Sequence, residues 1–557
     1  MRKIMGNFRK ELTVAGVLTV TVLAMAIGVQ QLMSIYDQGD HLLPLLPTHA
    51  DVAVQPKLKY LDSLKTTFPP DIRRITPSGC SHQSPDWQSI ENNNTGVAMD
   101  SKAWHDLHLF IPNGSVLWTN QVSATCGNLI KVHASLYGGD IQDKNPRTIR
   151  VMRVGYYLGS GAREMWSSPP ISLKRYNVPN VKTLTRMVET RWPVTTSFTI
   201  GSDWSPGLYV VATVNDQNVI ENIAPLIVKG ELGASKLLLI HSTLTWATYN
   251  SFGGRSAYMG PINAARERSR VISLDRPMIG SGLNHFGRDG IALVQFLESN
   301  GIHVDQIADT DLDRNPSIIS HYSGIILSGH PEYMTNRIFK SLLAARNNGI
   351  NIAFLGSNSA YWQVRLESSP IGSDRRIAIY RDPTTDPVTD PTLIAIQFDN
   401  PRINMMPSLL TGETTAGVHV VGDMSLVNKP SWLNIPDKAQ LYGWSPNSEI
   451  DSVISNNFSP SNVHLIFSGK FRLVRLPKSS DPTKSVAMHR SYLAQTIWYT
   501  TPSGSAVFVA GNNYWACELS YTCSEGNVGD STRSILQSVT QQVLSLWQTK
   551  AIGRTLH

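Results

Sequence analysis

A chain of 557 residues exceeds what one hydrophobic core usually serves, so two or three domains are expected. Hydrophobic residues make up 41% and charged residues 16%, a balance that suits packed globular structure and excludes extensive disorder. The formal charge of +7 is partly local, because Arg2, Lys3, Arg9 and Lys10 against Glu11 give +3 before residue 12. The rest is spread thinly, with no basic run interleaved with aromatics, which argues against a nucleic-acid partner.

From Leu12 to Val29 the chain carries no charge and is mostly Val, Leu, Ala, Thr and Gly. Behind a basic flank, such a stretch is either a signal-anchor that spans a bilayer or the core of a signal peptide cleaved near Ala24-Met25-Ala26. Both readings of residues 1–33 place the rest outside the cytoplasm, with membrane attachment through 12–29 if the segment stays uncleaved. Cysteine usage agrees with export. Cys80, Cys126, Cys517 and Cys523 lack CxxC spacing and an accompanying His cluster, so bridges are expected rather than zinc. Cys80–Cys126 with Cys517–Cys523 is the pairing that keeps each bridge local.

Residues 34–100 read as an irregular stalk, interrupted by Pro44, Pro47, Pro56, Pro69, Pro70 and Pro77 and by Asn92, Asn93 and Asn94. Across 101–230, short runs rich in β-branched and aromatic residues alternate with Gly, Asn, Asp and Pro. Ser115 to Trp118, Leu129 to Ser135, Ile149 to Tyr157, Thr195 to Ile200, Leu208 to Val214 and Leu226 to Val228 predict strands of an antiparallel β-sandwich.

The texture changes in 231–549. Lys236 to His241 is a compact apolar run, as a buried parallel strand should be. A helix is predicted from Asp289 to Asn300, ended by Gly301, then strands at His303 to Ala308 and Gly324 to Ser328. A second helix runs from about Thr335 to Asn348, and Ile350 to Leu355 is the next strand. This rhythm predicts a doubly wound α/β sheet. Residues 376–490 show mixed β character, Val507 to Ala510 a late strand, and Ser531 to Gln548 a terminal amphipathic helix.

Sites in open α/β sheets form beyond the carboxyl ends of the strands, which selects the loops at 245–256, 329–333 and 356–362. No cysteine lies between 127 and 516 and no GxSxG elbow occurs, so a cysteine or serine nucleophile is not indicated. Metal or acid–base chemistry around Glu332 and His330 remains.

At these loops the sequence resembles the large (β) subunit of N,N-dimethylformamidase and the proteins grouped with its C-terminal domain. The matching residues are TWATYNSFGGRS (245–256), SLDRP (273–277), SGHPEY (328–333), LGSNSAYWQVRLE (355–367) and PSGSAVFVAGNNYWACEL (502–519), within about 200 to 530. The resemblance implies a glutamine-amidotransferase-like α/β fold preceded by β-sandwich material. It also implies a mononuclear iron held by two tyrosines and one glutamate. Carried over, the glutamate is Glu332, one tyrosine is Tyr249, and the other is Tyr209 in Gly207-Leu208-Tyr209, with Tyr258 and Tyr333 as further candidates. His330 would orient Glu332 or relay protons, and Asn358 would donate to a developing oxyanion. Phenolate and carboxylate are hard anionic ligands that suit ferric iron.

Each residue also has a structural role open to it. Tyr209 and Tyr249 suit core aromatics, His330 a backbone partner, and Glu332 a helix N-terminal charge. Arg255 and Arg365 suit structural ion pairs. Glu449 and Glu518 are acids to which the family's further active-site glutamate is not aligned. The family's GHDEYW has Pro331 and Met334 substituted here. The expectation is an exported hydrolase of a C–N bond in a small amide; the alternative is a membrane-tethered, non-catalytic binding module that kept the fold. Monomer and homo-oligomer both stay open.

Overall fold

The computed structural model describes residues 86–98, 113–138, 145–178, 181, 184–261, 267–454, 456–473, 491–521, 523 and 528–556. The apolar segment 12–29 and Cys80 lie outside these residues. Among the described residues no helix is long and apolar enough to cross a membrane.

Among the described residues nine strands precede the change of texture: β1 (Val97–Ala98), β2 (Asn113–Thr119), β3 (Ser123–Ala124), β4 (Leu129–Gly138), β5 (Thr148–Val154), β6 (Gly161–Ser167), β7 (Thr196–Thr199), β8 (Gly207–Val214) and β9 (Ile220–Val228). They form a three-stranded sheet in the order β2-β4-β7 and a six-stranded sheet in the order β1-β6-β5-β8-β9-β3. Ile130, Val132 and Ala134 of the first meet Ile149, Val151, Tyr209 and Val211 of the second in one core. Alternate positions of β8, Leu208, Val210 and Ala212, turn the other way and pack with Trp246, Phe286 and Leu293. Because β8 is covered on both faces, its sequence is apolar throughout rather than alternating.

The larger sheet has a parallel half built from β10 (Leu237–His241), β12 (Val304–Ala308), β13 (Gly324–Gly329), β15 (Asn351–Gly356) and β24 (Ala506–Val509), in the order β12-β10-β13-β15-β24. Period-2 alternation divides its strands between two cores. Leu237, Leu239, Ala353 and Leu355 face helices Ala292–Ser299 and Asp530–Trp547. Leu238, Ile240, Ile325 and Ile352 face helix Asn336–Asn347 through Ile338, Phe339 and Leu342. Thr335 caps that helix, its hydroxyl accepting from the Ile338 N–H at 3.1 Å. The helix expected from Asp289 to Asn300 starts earlier and is a π-helical turn, Phe286–Ile291, before it becomes regular.

The poorly periodic stretch continues the same sheet antiparallel. β18 (Glu413–Gly422), β21 (Ser448–Val453), β22 (His464–Leu473) and β23 (Ser491–Thr500) extend it in the order β24-β23-β22-β18-β21. A four-stranded sheet, β11-β17-β16-β14, is built from β11 (Val271–Ser273), β14 (Tyr333–Thr335), β16 (Trp362–Ser369) and β17 (Gly372–Ala378). The architecture is therefore sheet-rich, mixed and partly α/β.

A buried ion pair joins the sandwich to the larger sheet's helices. The Arg153 guanidinium on β5 lies 2.6 Å from a carboxylate oxygen of Glu298, and neither side chain is appreciably exposed. Arg153→Met should cost about 3–5 kcal/mol, because it strands a buried carboxylate without its cation. Urea unfolding would measure it; a loss below about 1 kcal/mol would mean the pair is dispensable.

Candidate functional site

Strands β13 and β15 stay hydrogen-bonded to their carboxyl ends, where Gly329 faces Gly356. A Cβ on Gly356 would lie 1.3 Å from the Gly329 carbonyl oxygen, and Gly329 has φ +62°, so glycine is required at both positions. That close approach sets the loops carrying His330 and Asn358 side by side. The first loop is stitched to the second: the Ala360 N–H donates to the Pro331 carbonyl at 2.9 Å, and those of Tyr361 and Trp362 donate to the Glu332 carbonyl at 3.0 and 2.9 Å. Asn358 has φ 49°, a left-handed conformation that asparagine tolerates better than most residues. Tyr249 ends helix Thr243–Tyr249, directly after β10.

Four groups named from the sequence, Tyr249, Glu332, His330 and Asn358, converge here, all buried. The Tyr249 hydroxyl donates to Glu332 Oε2 at 2.8 Å. Tyr258, from the loop after that helix, lies 2.5 and 2.7 Å from the two Glu332 oxygens and 2.9 Å from the Tyr249 hydroxyl. Tyr333 in turn donates to the Tyr258 hydroxyl at 2.6 Å. One phenolic proton cannot satisfy all of Tyr258's short contacts. Oxygens crowded this way suit a shared cation. Among the described residues no group of three His, Cys, Asp or Glu side chains is disposed to hold a metal ion.

Burial first, and then the Glu332 charge, push the Tyr249 and Tyr258 phenols well above their ordinary range. Burial also raises the Glu332 carboxyl, against the lowering pull of His330. Burial makes these groups resist ionisation, Arg381 opposes that at Tyr258 and Glu332, and a bound hard cation would favour the ionised forms further.

Behind the oxygens lies a polar row contributed by the antiparallel strands. His330 Nε2 is 3.2 Å from Glu449 Oε2 and 3.5 Å from Glu332 Oε2. Burial opposes a charged imidazole at His330, but Glu449 and then Glu332 outweigh it and raise its pKa. Burial likewise opposes charge on Glu449, yet His330 and the Asn358 amide hold it well below the usual carboxylate range. Asn358 Nδ2 donates to Glu449 Oε2 at 2.7 Å, while Asn358 Oδ1 accepts from the Thr415 hydroxyl at 2.6 Å. Asp451 accepts from the Asn358 N–H at 2.8 Å, and burial pushes its carboxyl up to about 7. Glu449, Asp451 and Thr415 were not placed at the site by sequence reasoning. The local signal for Glu449 and Asp451 is the alternation of acids along β21, and Thr415 on β18 carries none.

Tyr209 is not part of this cluster. It points inward from β8 into the sandwich core, stacks on Trp204 with ring centroids 5.4 Å apart, and donates its hydroxyl to the Ser205 carbonyl. The strand's alternation fixes that direction, and the place beside Tyr249 and Glu332 belongs to Tyr258. Tyr209→Phe should leave metal content unchanged and cost about 1 kcal/mol for its hydrogen bond, whereas Tyr258→Phe should lower metal content. Metal analysis of both variants checks this, and a metal loss confined to Tyr209→Phe would reverse the assignment. Arg255 pairs with Glu267, Arg365 with Asp386 and Glu367, and Glu518 with Arg533, all away from the oxygen cluster.

A sequence model described as N,N-dimethylformamidase beta subunit-like, C-terminal, matches residues 148–529, well over half of the chain and every residue of the cluster. The chain belongs to that family. Its two departures from the family's GHDEYW pattern fall on the frame: Pro331 contributes its carbonyl, and Met334 is buried in the core under helix Asn336–Asn347. No match is found among curated proteins. Among solved structures, a cycloisomaltooligosaccharide glucanotransferase from Paenibacillus sp. aligns over 69% of this chain and 68% of its own, at 8% identity and a TM-score of 0.17, which carries no argument about fold or function.

Proposed function

We propose that this member of the dimethylformamidase family is an exported, iron-dependent hydrolase that cleaves the C–N bond of a small amide. The observation that carries the reading is the convergence of Tyr249, Tyr258 and Glu332 oxygens at 2.5–2.9 Å, with the His330–Glu449 pair alongside. These three residues would hold the iron. Its contribution when bound is to polarise a substrate carbonyl and acidify a water.

The chain's own groups supply the proton handling. The His330–Glu449 pair, joined through His330 Nε2, is the acid–base group that would take up the proton that water loses as its oxygen bonds to the carbonyl carbon. The same proton then passes to the amide nitrogen as the C–N bond breaks, releasing a carboxylic acid and an amine. Asn358, clamped between Thr415 and Glu449, keeps that pair aligned. Burial of the cluster keeps bulk water from screening these charges.

The bridge between Cys517 and Cys523, and the disulfide-bonded state of Cys126, support export to an oxidising compartment. The binding-module alternative rests on Pro331 and on a membrane tether, and a proline that leaves the oxygen cluster whole weakens the first of these. Amine release from N,N-dimethylformamide and other small amides, with iron-loaded and chelator-treated protein, tests the proposal. Iron-dependent release is expected. Absence of release from every neutral and charged amide by iron-loaded protein would overturn it.

A further inference from the structure

The inner members of the cluster are buried, and the residues that close it toward solvent are the partly exposed Tyr258, Tyr361, Trp362 and Arg381. Arg381 is the cation of that mouth. Its guanidinium carbon lies 4.1 Å from the centre of the Tyr258 ring and 4.6 Å from that of Trp362, and one Nη donates to the Tyr333 hydroxyl. Stacked arginines of this kind are rigid and present a planar fork suited to a carboxylate.

Of the arginines nearby, Arg365 pairs with Asp386, Arg375 with Asp275 and the half-buried Arg376 with Glu189, while buried Arg276 is satisfied by the backbone carbonyls of Asn250, Phe252 and Arg255. Arg381 has no ion pair among the described residues, and its Nε is buried without a hydrogen-bond partner. It is also held at φ 60°, a left-handed conformation that side chains with a Cβ disfavour. A left-handed backbone and a cation without a carboxylate at one position motivate a functional reading. Arg186, Arg270 and Arg381 all act on Arg268, against Asp382, while Glu332 acts on Arg381 from the inner side of the cluster.

The geometry points to Arg381 as the recognition group for a carboxylate on the substrate, so that the preferred amide is an anionic one of the N-acyl amino acid class. The inference rests on the amide-hydrolase reading for its choice of ligand. Arg381 would dock the carboxylate at the mouth and leave the amide carbonyl directed at the Tyr249, Tyr258 and Glu332 oxygens.

Calorimetric titration of the full chain with N-acetylglycine and with neutral N-methylacetamide separates the possibilities, using wild type, Arg381→Lys and Arg381→Met. N-acetylglycine should bind at least about tenfold more tightly than the neutral amide. The preference should vanish in Arg381→Met and survive in part in Arg381→Lys, with thermal midpoints confirming that the variants are folded. Equal affinities in wild type, a preference that persists in Arg381→Met, or equal weakening of both ligands would overturn the proposal. Amine release from the same iron-loaded samples reports separately on hydrolysis. Preference without release retains the carboxylate site and sinks the hydrolase; release without preference does the reverse.

Discussion

Glu332→Gln should strip iron from the protein while leaving it folded. The carboxylate is the one group that touches both phenols, with contacts of 2.8 Å to Tyr249 and 2.5 and 2.7 Å to Tyr258. Glutamine keeps its shape and can still exchange hydrogen bonds with both hydroxyls, so the fold should lose only about 1 kcal/mol. It removes an anionic donor from a three-residue set. Affinity should therefore fall by more than the about 10–100-fold that follows loss of an outer hydrogen-bond partner. Iron per chain and thermal midpoint, measured on identically purified wild type and variant, check the prediction. Equal iron in both would show that Glu332 is no ligand, and a collapsed midpoint with no metal effect would make it structural.

Glu449→Gln is expected to have the next largest effect, on turnover rather than on metal. Glu449 faces His330 at 3.2 Å and is the group that most favours a proton there. An amide at this position keeps the Asn358 contact in form but removes the charge. The imidazole then lies buried without its main partner and loses the ability to carry a proton between water and the leaving nitrogen. A kcat reduced about 10²–10⁴-fold, the usual worth of a positioned acid–base group, should accompany unchanged iron content. His330→Ala should reduce kcat by a similar factor, and the double variant should be little worse than either single one, because the two act as a unit. Steady-state amine release from iron-loaded protein is the measurement. A full additive loss in the double variant, or wild-type kcat in Glu449→Gln, would contradict the pairing.

Local pattern carried much of the architecture. Compact apolar runs located β10, β12, β13, β15 and β24, and glycine and threonine punctuation bounded helix Asn336–Asn347, since both signals are written within a few residues. The rule that sites gather at the carboxyl ends of parallel strands selected the three loops, and the resemblance to the dimethylformamidase family then named Tyr249, Glu332, His330 and Asn358 within them. What pattern could not give was pairing at long range. β18 and β21 join the sheet through antiparallel registers broken by bulges, so nothing near Ser448-Glu449-Ile450-Asp451 announces that it lies against the loop after β15. Tyr209 misled for the opposite reason. Its strand was legible, but the face it points to depends on register, and that face is the sandwich core. Tyr258 sits in a loop with no period, beyond Gly253 and Gly254, where only the fold reveals its partners. Arg381 is hidden likewise, because neither its left-handed backbone nor its lack of a carboxylate can be read from neighbours in sequence.

The central claim, that two phenols and one carboxylate form an iron site, is tested most directly by metal content and visible absorption of the purified full chain expressed with ample iron. Close to one iron per chain is expected, with a phenolate-to-iron charge-transfer band that weakens in both Tyr249→Phe and Tyr258→Phe and is unaffected by Tyr209→Phe. Protein that carries no iron under those conditions, or a band indifferent to Tyr249 and Tyr258, would contradict it.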